Sequence, residues 1–297
     1  MTSTFYDKQT GVTALLAQIR EHEEREDAQA NAREEHGVPF KYKDWMIVAH
    51  KSHITPLQAL EDLGNSVGLT PPEMVFGKNQ LLVMHKPSGF CLSFIAAEAL
   101  ACCHFKAGDD KEQLQVSMAR DQPSTKGDDV KKLAISYDWT YTSDYKGTLA
   151  RVNGDGVANV EKNTVHVEAT QERIDYEKLK VREEILWMDE VNLYEDELHD
   201  HGVSVFSIRM RVMPSGFYVL ARYWMRLDNV VVRLNETRIH HLFGQDHFLR
   251  EFTAKETTFE QLFAQGQPTH MSHYTNIDTF QHLLATKYSA YDKVFLH

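Results

Sequence analysis

A regular alternation of apolar and polar side chains between Val203 and Arg238 constrains the fold of this chain more than any other feature. The apolar residues of its first run are Phe206, Ile208, Met210 and Val212. A period of two is typical of a β-strand with one buried face. The turn residues 214–216 and Asp228-Asn229 divide the segment into three such runs. The pattern therefore predicts an α+β fold, built on an antiparallel β-sheet (a meander around 203–238) with flanking helices.

The polar face of this meander is basic and aromatic. If both turns are tight, one face collects Arg209, Arg211, Tyr218, Arg222, Trp224, Arg226 and Arg233. Guanidinium groups beside aromatic rings suit carboxylates, phosphates or an acidic peptide that carries an aromatic residue. The alternative is that these arginines only solvate the sheet and pair with acidic residues of covering loops.

Shorter patterns predict the remaining elements. We expect strands at 45–50, 81–85, 90–95, 248–253 and in the first part of 135–149; helices from Thr55-Pro56 to Gly64, over Asp175–Val191 and over 276–290; and surface loops at 108–127 and 151–163. Residues 1–37 contain a proline-free, highly charged stretch, which predicts a helical extension. Residues 38–297 are expected to form a single domain.

The balance of charges makes nucleic acid and membranes unexpected partners. Lys and Arg number 32 against 43 Asp and Glu, so the net charge is -11 and opposes a phosphate backbone. No apolar run is long enough to cross a bilayer, and the N-terminus has no secretory pattern. The three cysteines, Cys91, Cys102 and Cys103, lack a CxxC spacing and are expected to be buried thiols. These features predict a cytoplasmic protein that also enters the nucleus.

The segment 194–202 holds the densest set of potential metal ligands, with His199 and His201 among the carboxylates of Glu195, Glu197 and Asp200. Such a set could serve a metal-dependent hydrolase. The competing interpretation is a structural corner held by hydrogen bonds between carboxylates and histidines. No nucleophile, phosphate-loop or dinucleotide motif occurs, so no catalytic residue, metal or cofactor is predicted. A third hypothesis, a single-strand nucleic-acid binder on the arginine-aromatic face, conflicts with the net charge.

Three unusual runs resemble one known family. YDWTYTSDYKGTL at 137–149, EDELHDHGVS at 195–204 and RVMPS at 211–215 resemble the TOR signalling pathway regulator-like (TIPRL) family, whose members bind type 2A protein phosphatases. The resemblance extends from about Trp45 to about Glu256. It implies a non-enzymatic regulator that binds the catalytic subunits of type 2A, 4 and 6 phosphatases, alongside the alpha-four type of adaptor, and inhibits them within TOR signalling.

The resemblance also implies a set of contact residues. Positions tied to phosphatase binding fall on Glu98, Ile174, Leu234 and Glu236, and the phosphatase-binding part corresponds to about Arg211 onward. Three of the four depart conservatively from the family's usual aspartate, methionine and aspartate, whereas Ile174 is retained. Together with the arginine pattern, this predicts that Arg222, Arg226 or Arg233 faces the carboxylates of an acidic, aromatic-ended tail of the catalytic subunit.

Overall fold

Two antiparallel sheets form the framework of the protein. The structure is a computed structural model, and it describes residues 37–103, 139–152, 158–159 and 165–297. The smaller sheet has, in spatial order, β1 (Phe40–Tyr42), β2 (Trp45–His50), β4 (Gln80–His85), β5 (Phe90–Ile95), β6 (Thr148–Val152) and β7 (Ala158–Asn159). The larger sheet has the order β3 (Met74–Val75), β9 (Trp187–Asp196), β10 (Gly202–Val212), β11 (Gly216–Leu227), β12 (Val231–Leu242), β13 (His247–Thr258), β14 (Ala285–Phe295) and β8 (Val167–Ala169). The predicted α+β class with an antiparallel core is confirmed.

The helices are short and lie between or beside the strands. They are α1 (Leu57–Val67), α2 (Ala96–Ala101), α3 (Tyr176–Lys180), α4 (Phe259–Ala264), α5 (Ile277–Phe280) and two 3-10 turns, Met271–Tyr274 and Gln281–Leu283. None of the helices in these described ranges is long and apolar enough to span a bilayer. The helix predicted from Thr55-Pro56 to Gly64 is confirmed, although it continues past Gly64 to Val67. Gly68 caps its C-terminus with a φ of 76°, which suits glycine.

One hydrophobic core joins the two sheets. The inner faces contact through aromatic rings: Trp45 meets Phe217 at 4.9 Å between centroids, and Phe90 meets Phe248 at 5.5 Å. The core face of β10 consists of Phe206, Ile208, Met210 and Val212, as the alternation predicted. Burying such side chains stabilises the fold by about 1.5–3 kcal/mol each. Cys91 and Cys103 are buried as expected, whereas Cys102, at the end of α2, is partly exposed. Burial raises the pKa of the Cys91 thiol to about 12.

Two predicted helices are wrong. Asp175 does cap a helix, because its side chain accepts a hydrogen bond from Lys178 N at 3.1 Å, but that helix ends at Lys180. The remainder of 175–191 is extended and enters strand β9, since Trp187, Val191 and Leu193 alternate toward the core. The closing helix predicted at 276–290 is limited to Ile277–Phe280, and strand β14 follows it.

Other predicted elements are corrected at their boundaries. The strands predicted at 45–50, 81–85, 90–95 and 248–253 are confirmed, the last within the longer β13. Residues 139–147 form a turn and an irregular segment instead of a strand, and 135–138 lie outside the described residues. The predicted loop at 151–163 contains the end of β6 and all of β7. The N-terminal helix and the loop at 108–127 also lie outside the described residues.

Candidate partner-binding site

The side of the large sheet that faces away from the small sheet, here called the outer face, carries most of the predicted basic and aromatic residues. Residues directly opposite in an antiparallel pair share a face. Arg222 lies opposite Ser207 and Glu236, and Tyr218 lies opposite Arg211 and His240. The prediction is therefore correct for a set of six: Arg209, Arg211, Tyr218, Arg222, Trp224 and Arg226.

Arg233 is on the opposite side of the sheet, so its predicted place on this face is wrong. Leu227 pairs with Val231, which makes the turn three residues long instead of two. A shift of one residue moves every side chain of the following strand to the other face. Arg233 consequently lies opposite Met225, on the core side. There its Nε donates to Glu256 Oε2 at 2.6 Å and its Nη1 to Thr142 Oγ1 at 3.0 Å.

A buried ion-pair cluster occupies the centre of the outer face. Glu236 is only 1% exposed, and its Oε1 lies 2.7 Å from Arg222 Nη2 while its Oε2 accepts from Arg238. Arg222 Nη1 reaches Asp278 Oδ1 at 2.8 Å. Burial alone would lower the pKa of Arg222, but the two carboxylates outweigh it and raise that pKa. The Arg222 guanidinium therefore remains charged at neutral pH.

Ile174 lies beside this cluster. Its backbone N donates to Glu251 Oε1 at 2.8 Å, and the Tyr176 hydroxyl donates to Glu251 Oε2 at 2.7 Å. Glu251 is opposite Arg238 in the sheet, so the chain entering α3 is held against the outer face. Burial, followed by the hydrogen bond to Glu251, raises the pKa of Tyr176. Tyr176 thus keeps its donating proton at neutral pH.

Leu234 is on the outer face but is covered. A hydrophobic cap, formed by α4, Met271–Tyr274 and α5, packs on Leu234, Val232 and Trp224. Leu234 itself has no exposed surface. Its side chain consequently anchors the cap to the sheet.

Glu98 lies in the interior on the other side of the sheet. It is in the first turn of α2 and only 3% exposed, and the Tyr145 hydroxyl donates to its Oε2 at 3.2 Å. Burial, and secondly Glu98, raise the pKa of Tyr145 well above its ordinary value. The segment 139–147 links this site to β12, because Asn235 Nδ2 donates to Ser143 O at 2.8 Å. Glu98 and Arg233 therefore belong to an inner group, whereas Ile174, Arg222, Leu234 and Glu236 belong to the outer face.

All four residues implied by the resemblance are buried. Glu98 and Ile174 are 3% exposed, Glu236 is 1% exposed and Leu234 is fully enclosed. Because these four side chains are covered, they pack beneath the protein surface and shape it without forming part of it. Direct contact with a partner would require the covering residues to move.

The exposed part of this region is a strip that the sequence reasoning missed. We call it the outer strip, and it consists of the exposed Tyr176, Val181, Ile185 and Met188 together with Arg211 and Tyr218, which are half-buried. Met188 is 67% exposed, Val181 64% and Ile185 52%. Arg211 lies between Met188 and Tyr218 in the register, with its guanidinium 5.5 Å from the Tyr218 ring. The helix predicted over Asp175–Val191 did not indicate this exposed segment, and only the alternation from Trp187 onward signals the extended chain that exposes Ile185.

Arg211 differs from the other arginines of the outer face in its partners. Arg209 pairs with Glu190, Arg222 with Glu236 and Asp278, and Arg226 with Asp228. The anticipated acidic partners are therefore present, but Glu190 and Glu236 come from neighbouring strands, and only Asp228 and Asp278 come from a turn and a covering segment. Among the residues that the structure describes, Arg211 has no such carboxylate partner, and its buried Nε has no hydrogen-bond acceptor. Apolar surface beside an unpaired guanidinium is suited to binding an acidic, apolar segment.

The histidine-rich turn between β9 and β10 does not assemble a metal site. Within the described ranges, no group of three or more His, Cys, Asp or Glu side chains is close enough to hold an ion. Asp196 Oδ1 accepts from Leu198 N at 2.6 Å, and His199 stacks on Trp139 at 6.2 Å. The corner is thus held by a carboxylate and backbone N–H groups instead of the expected carboxylate–histidine bonds. The three residues at its tip have positive φ angles of 51–64°.

Comparison with known proteins identifies the family. The model of the TIP41-like family matches residues 74–263, which is well over half of the chain. The chain belongs to the TIP41-like family. It is 40% identical to the human TIP41-like protein over 235 residues, 76% of this chain and 81% of the human protein. It is 35% identical to the TIP41-like protein of Arabidopsis thaliana over 78% of this chain and 82% of the relative.

A further relative carries a functional name. The type 2A phosphatase activator tip41 of Schizosaccharomyces pombe is 33% identical over 76% of this chain and 84% of the yeast protein. The TIP41-like match includes the inner group, the ion-pair cluster around Glu236 and the whole outer strip. Asp278 and strand β14 lie beyond it.

Proposed function

We propose that this TIP41-like protein is a non-enzymatic regulator that binds the catalytic subunits of type 2A protein phosphatases. The family membership and the name of the fission yeast relative support this proposal. The proposed partners include the type 4 and type 6 enzymes and the alpha-four type of adaptor, within TOR signalling in the cytoplasm and nucleus. Catalysis belongs to the partner.

The outer strip is the proposed contact surface, and one observation carries this assignment. Arg211 lies between the exposed Met188 and the half-buried Tyr218, and it has no carboxylate partner within the described ranges. Arg222, Arg226 and Arg233 already pair with acidic residues of the protein itself. An acidic, aromatic-ended tail would have to displace those partners, whereas at Arg211 it displaces none. We therefore assign the tail carboxylate to Arg211 and its apolar residues to the strip beside it.

Under this proposal the four buried family positions act indirectly. Glu236 and Ile174 hold the sheet and the start of α3, which carry the strip, while Leu234 fixes the cap. Glu98 organises the inner segment 139–147. Changes at these positions should weaken binding through the shape of the surface.

A matched pair of charge reversals tests the contact surface. We expect Arg211→Glu to weaken binding to a purified type 2A catalytic subunit by at least about tenfold, as for a central interface residue. Arg209→Glu is the control, because Arg209 is two residues away on the same face, 55% exposed and already paired with Glu190. It should change affinity by less than about threefold. Equal effects of the two reversals in titration calorimetry would refute the assignment to Arg211.

The same complex tests the direction of regulation. The proposed effect is inhibition of the bound catalytic subunit, whereas the name of the fission yeast relative describes activation. Phosphopeptide hydrolysis by a fixed amount of catalytic subunit, with increasing amounts of this protein, should fall to a plateau. A rise would reverse the proposed direction, and an absence of binding by the intact chain would refute the function itself.

A further inference from the structure

A cavity separate from the outer strip lies between the two sheets, on the side of the large sheet that faces the small sheet. Its volume is about 300 Å³, and its walls include the rings of Trp45, His85, His241 and Phe243. Asp44 and Asp246 also line it. This volume is at the lower end for small-molecule sites, so the cavity is large enough for one long side chain. None of its lining residues belongs to the proposed phosphatase surface.

The walls present flat rings and a buried hydrogen-bond acceptor. Trp45 lies 4.9 Å from His85 and 4.7 Å from His241 between ring centroids. His241 is 1% exposed, and its Nδ1 lies 2.9 Å from the His247 carbonyl oxygen. Because a carbonyl can only accept, Nδ1 carries the proton and Nε2 presents a lone pair. Burial lowers the pKa of His241 to about 4, so the ring is neutral at physiological pH and Nε2 is free to accept.

The charges around the cavity favour a cation. Asp44 is exposed, and in the described part of the chain no basic side chain pairs with its carboxylate. Asp246 adds a second carboxylate, 2.7 Å from His247 Nδ1. Lys43 lies at the same rim, but its ammonium sits 4.7 Å from the Phe243 ring centroid and donates to Pro214 O at 3.3 Å. The protein thus already places one cation against an aromatic wall of this cavity.

We propose that the cavity binds the guanidinium group of an arginine side chain presented by a polypeptide partner. A guanidinium is planar and stacks on aromatic and imidazole rings, and its several donors can serve His241 Nε2 and the Asp44 carboxylate together. Its alkyl stem fits the apolar walls. A carboxylate ligand would meet Asp44 and Asp246, whose like charge opposes it.

The direct test uses short blocked peptides and the indole N–H resonance of Trp45. Acetyl-Gly-Arg-Gly-amide should shift this resonance with a saturable, millimolar Kd in a ¹H–¹⁵N titration. The citrulline peptide has the same shape without the charge, and the glutamate peptide has the opposite charge; each should bind at least about fivefold more weakly. Equal binding of the arginine and citrulline peptides, or no shift with any peptide, would overturn the proposal.

Two variants separate the site from the overall charge of the protein. Asp44→Lys places a cation at the rim and should weaken the arginine peptide by at least about fivefold. Asp62→Lys makes the same charge change at an exposed position of α1 that does not line the cavity, and it should have little effect. Equal effects of the two would overturn the assignment. Binding of butylguanidinium but not of the peptide would exclude a polypeptide source.

The proposals for the cavity and for the outer strip can be refuted independently of each other. Arg211→Glu should leave peptide binding at the cavity unchanged, since Arg211 does not line it. Asp44→Lys should correspondingly leave Arg211-dependent phosphatase binding intact.

Discussion

The buried carboxylate of Glu236 should contribute to stability more than to direct contact with a partner. Its two oxygens accept hydrogen bonds from the guanidinium groups of Arg222 and Arg238, and the bond from Arg222 Nε is 2.8 Å long. Glu236→Gln removes the charge and turns an amide donor toward one of these groups. Both arginines would then be left without their shared carboxylate in a largely buried site.

The magnitude follows from the surroundings of the cluster. Removing one partner of a buried ion pair costs about 3–5 kcal/mol. Here Arg222 retains Asp278, and the side chains of Arg222 and Arg238 are 12% and 20% exposed, so water relieves part of the cost. We expect the free energy of unfolding to fall by about 2–3 kcal/mol.

Urea unfolding followed by tryptophan fluorescence measures this loss as a lower midpoint at an unchanged m-value. Asp278→Asn is the matched control, because it removes the other carboxylate of Arg222 from a site that is 49% exposed. It should cost less than about 1 kcal/mol. The reasoning would be refuted if Glu236→Gln were as stable as the unaltered protein, or if Asp278→Asn cost as much.

Three further outcomes are expected. In the folded protein the pKa of His241 is about 4, below its ordinary 6.5, so the unfolded chain binds more protons between pH 4 and 6.5. The free energy of unfolding should therefore fall by up to about 3 kcal/mol as the pH drops from 6.5 to 4. The urea midpoint of His241→Phe should depend less on pH than that of the unaltered protein. Asn229 has a φ of 59°, so Asn229→Val should lower the free energy of unfolding by about 1–2 kcal/mol, whereas Asn229→Gly should leave it nearly unchanged. Cys91 should resist alkylation in the native protein and react only after denaturation, because its thiol is buried and its pKa is raised; mass spectrometry of labelled peptides measures this, and rapid native labelling would contradict it.

The central strands could be predicted from the sequence because each presents one face to a single core. The alternation of Phe206, Ile208, Met210 and Val212 reports that burial directly. At 175–191 the same reasoning failed, since charged residues at helical spacing obscured an extended chain. Strand β14 was missed for a related reason, because its Ala285–Tyr288 side chains are exposed and the preceding Ile277 and Phe280 suggested a helix.

The candidate site depended on details that periodicity does not encode. The extra residue in the turn at 228–230 put Arg233 on the core side. The cap over Leu234 and the acidic partners of Arg222 come from segments distant in sequence, such as Asp278. The sequence identified the face correctly, but only the three-dimensional pairing distinguishes Arg211 from its neighbours.

The register of β10 has a practical consequence for dissecting this protein. Position 211, where the resemblance places the start of the phosphatase-binding part, is the penultimate residue of β10, whose whole length pairs with β11 and most of whose length pairs with β9. A fragment cut there would lose the small sheet, β9 and nearly all of β10, and would present Phe217, Val219 and Tyr223 to solvent. Such a fragment is prone to aggregate and to bind unrelated proteins through its exposed apolar surface. The proteins that it binds in a pull-down would therefore include non-specific partners as well as specific ones. Mapping by single substitutions in the intact chain avoids that ambiguity.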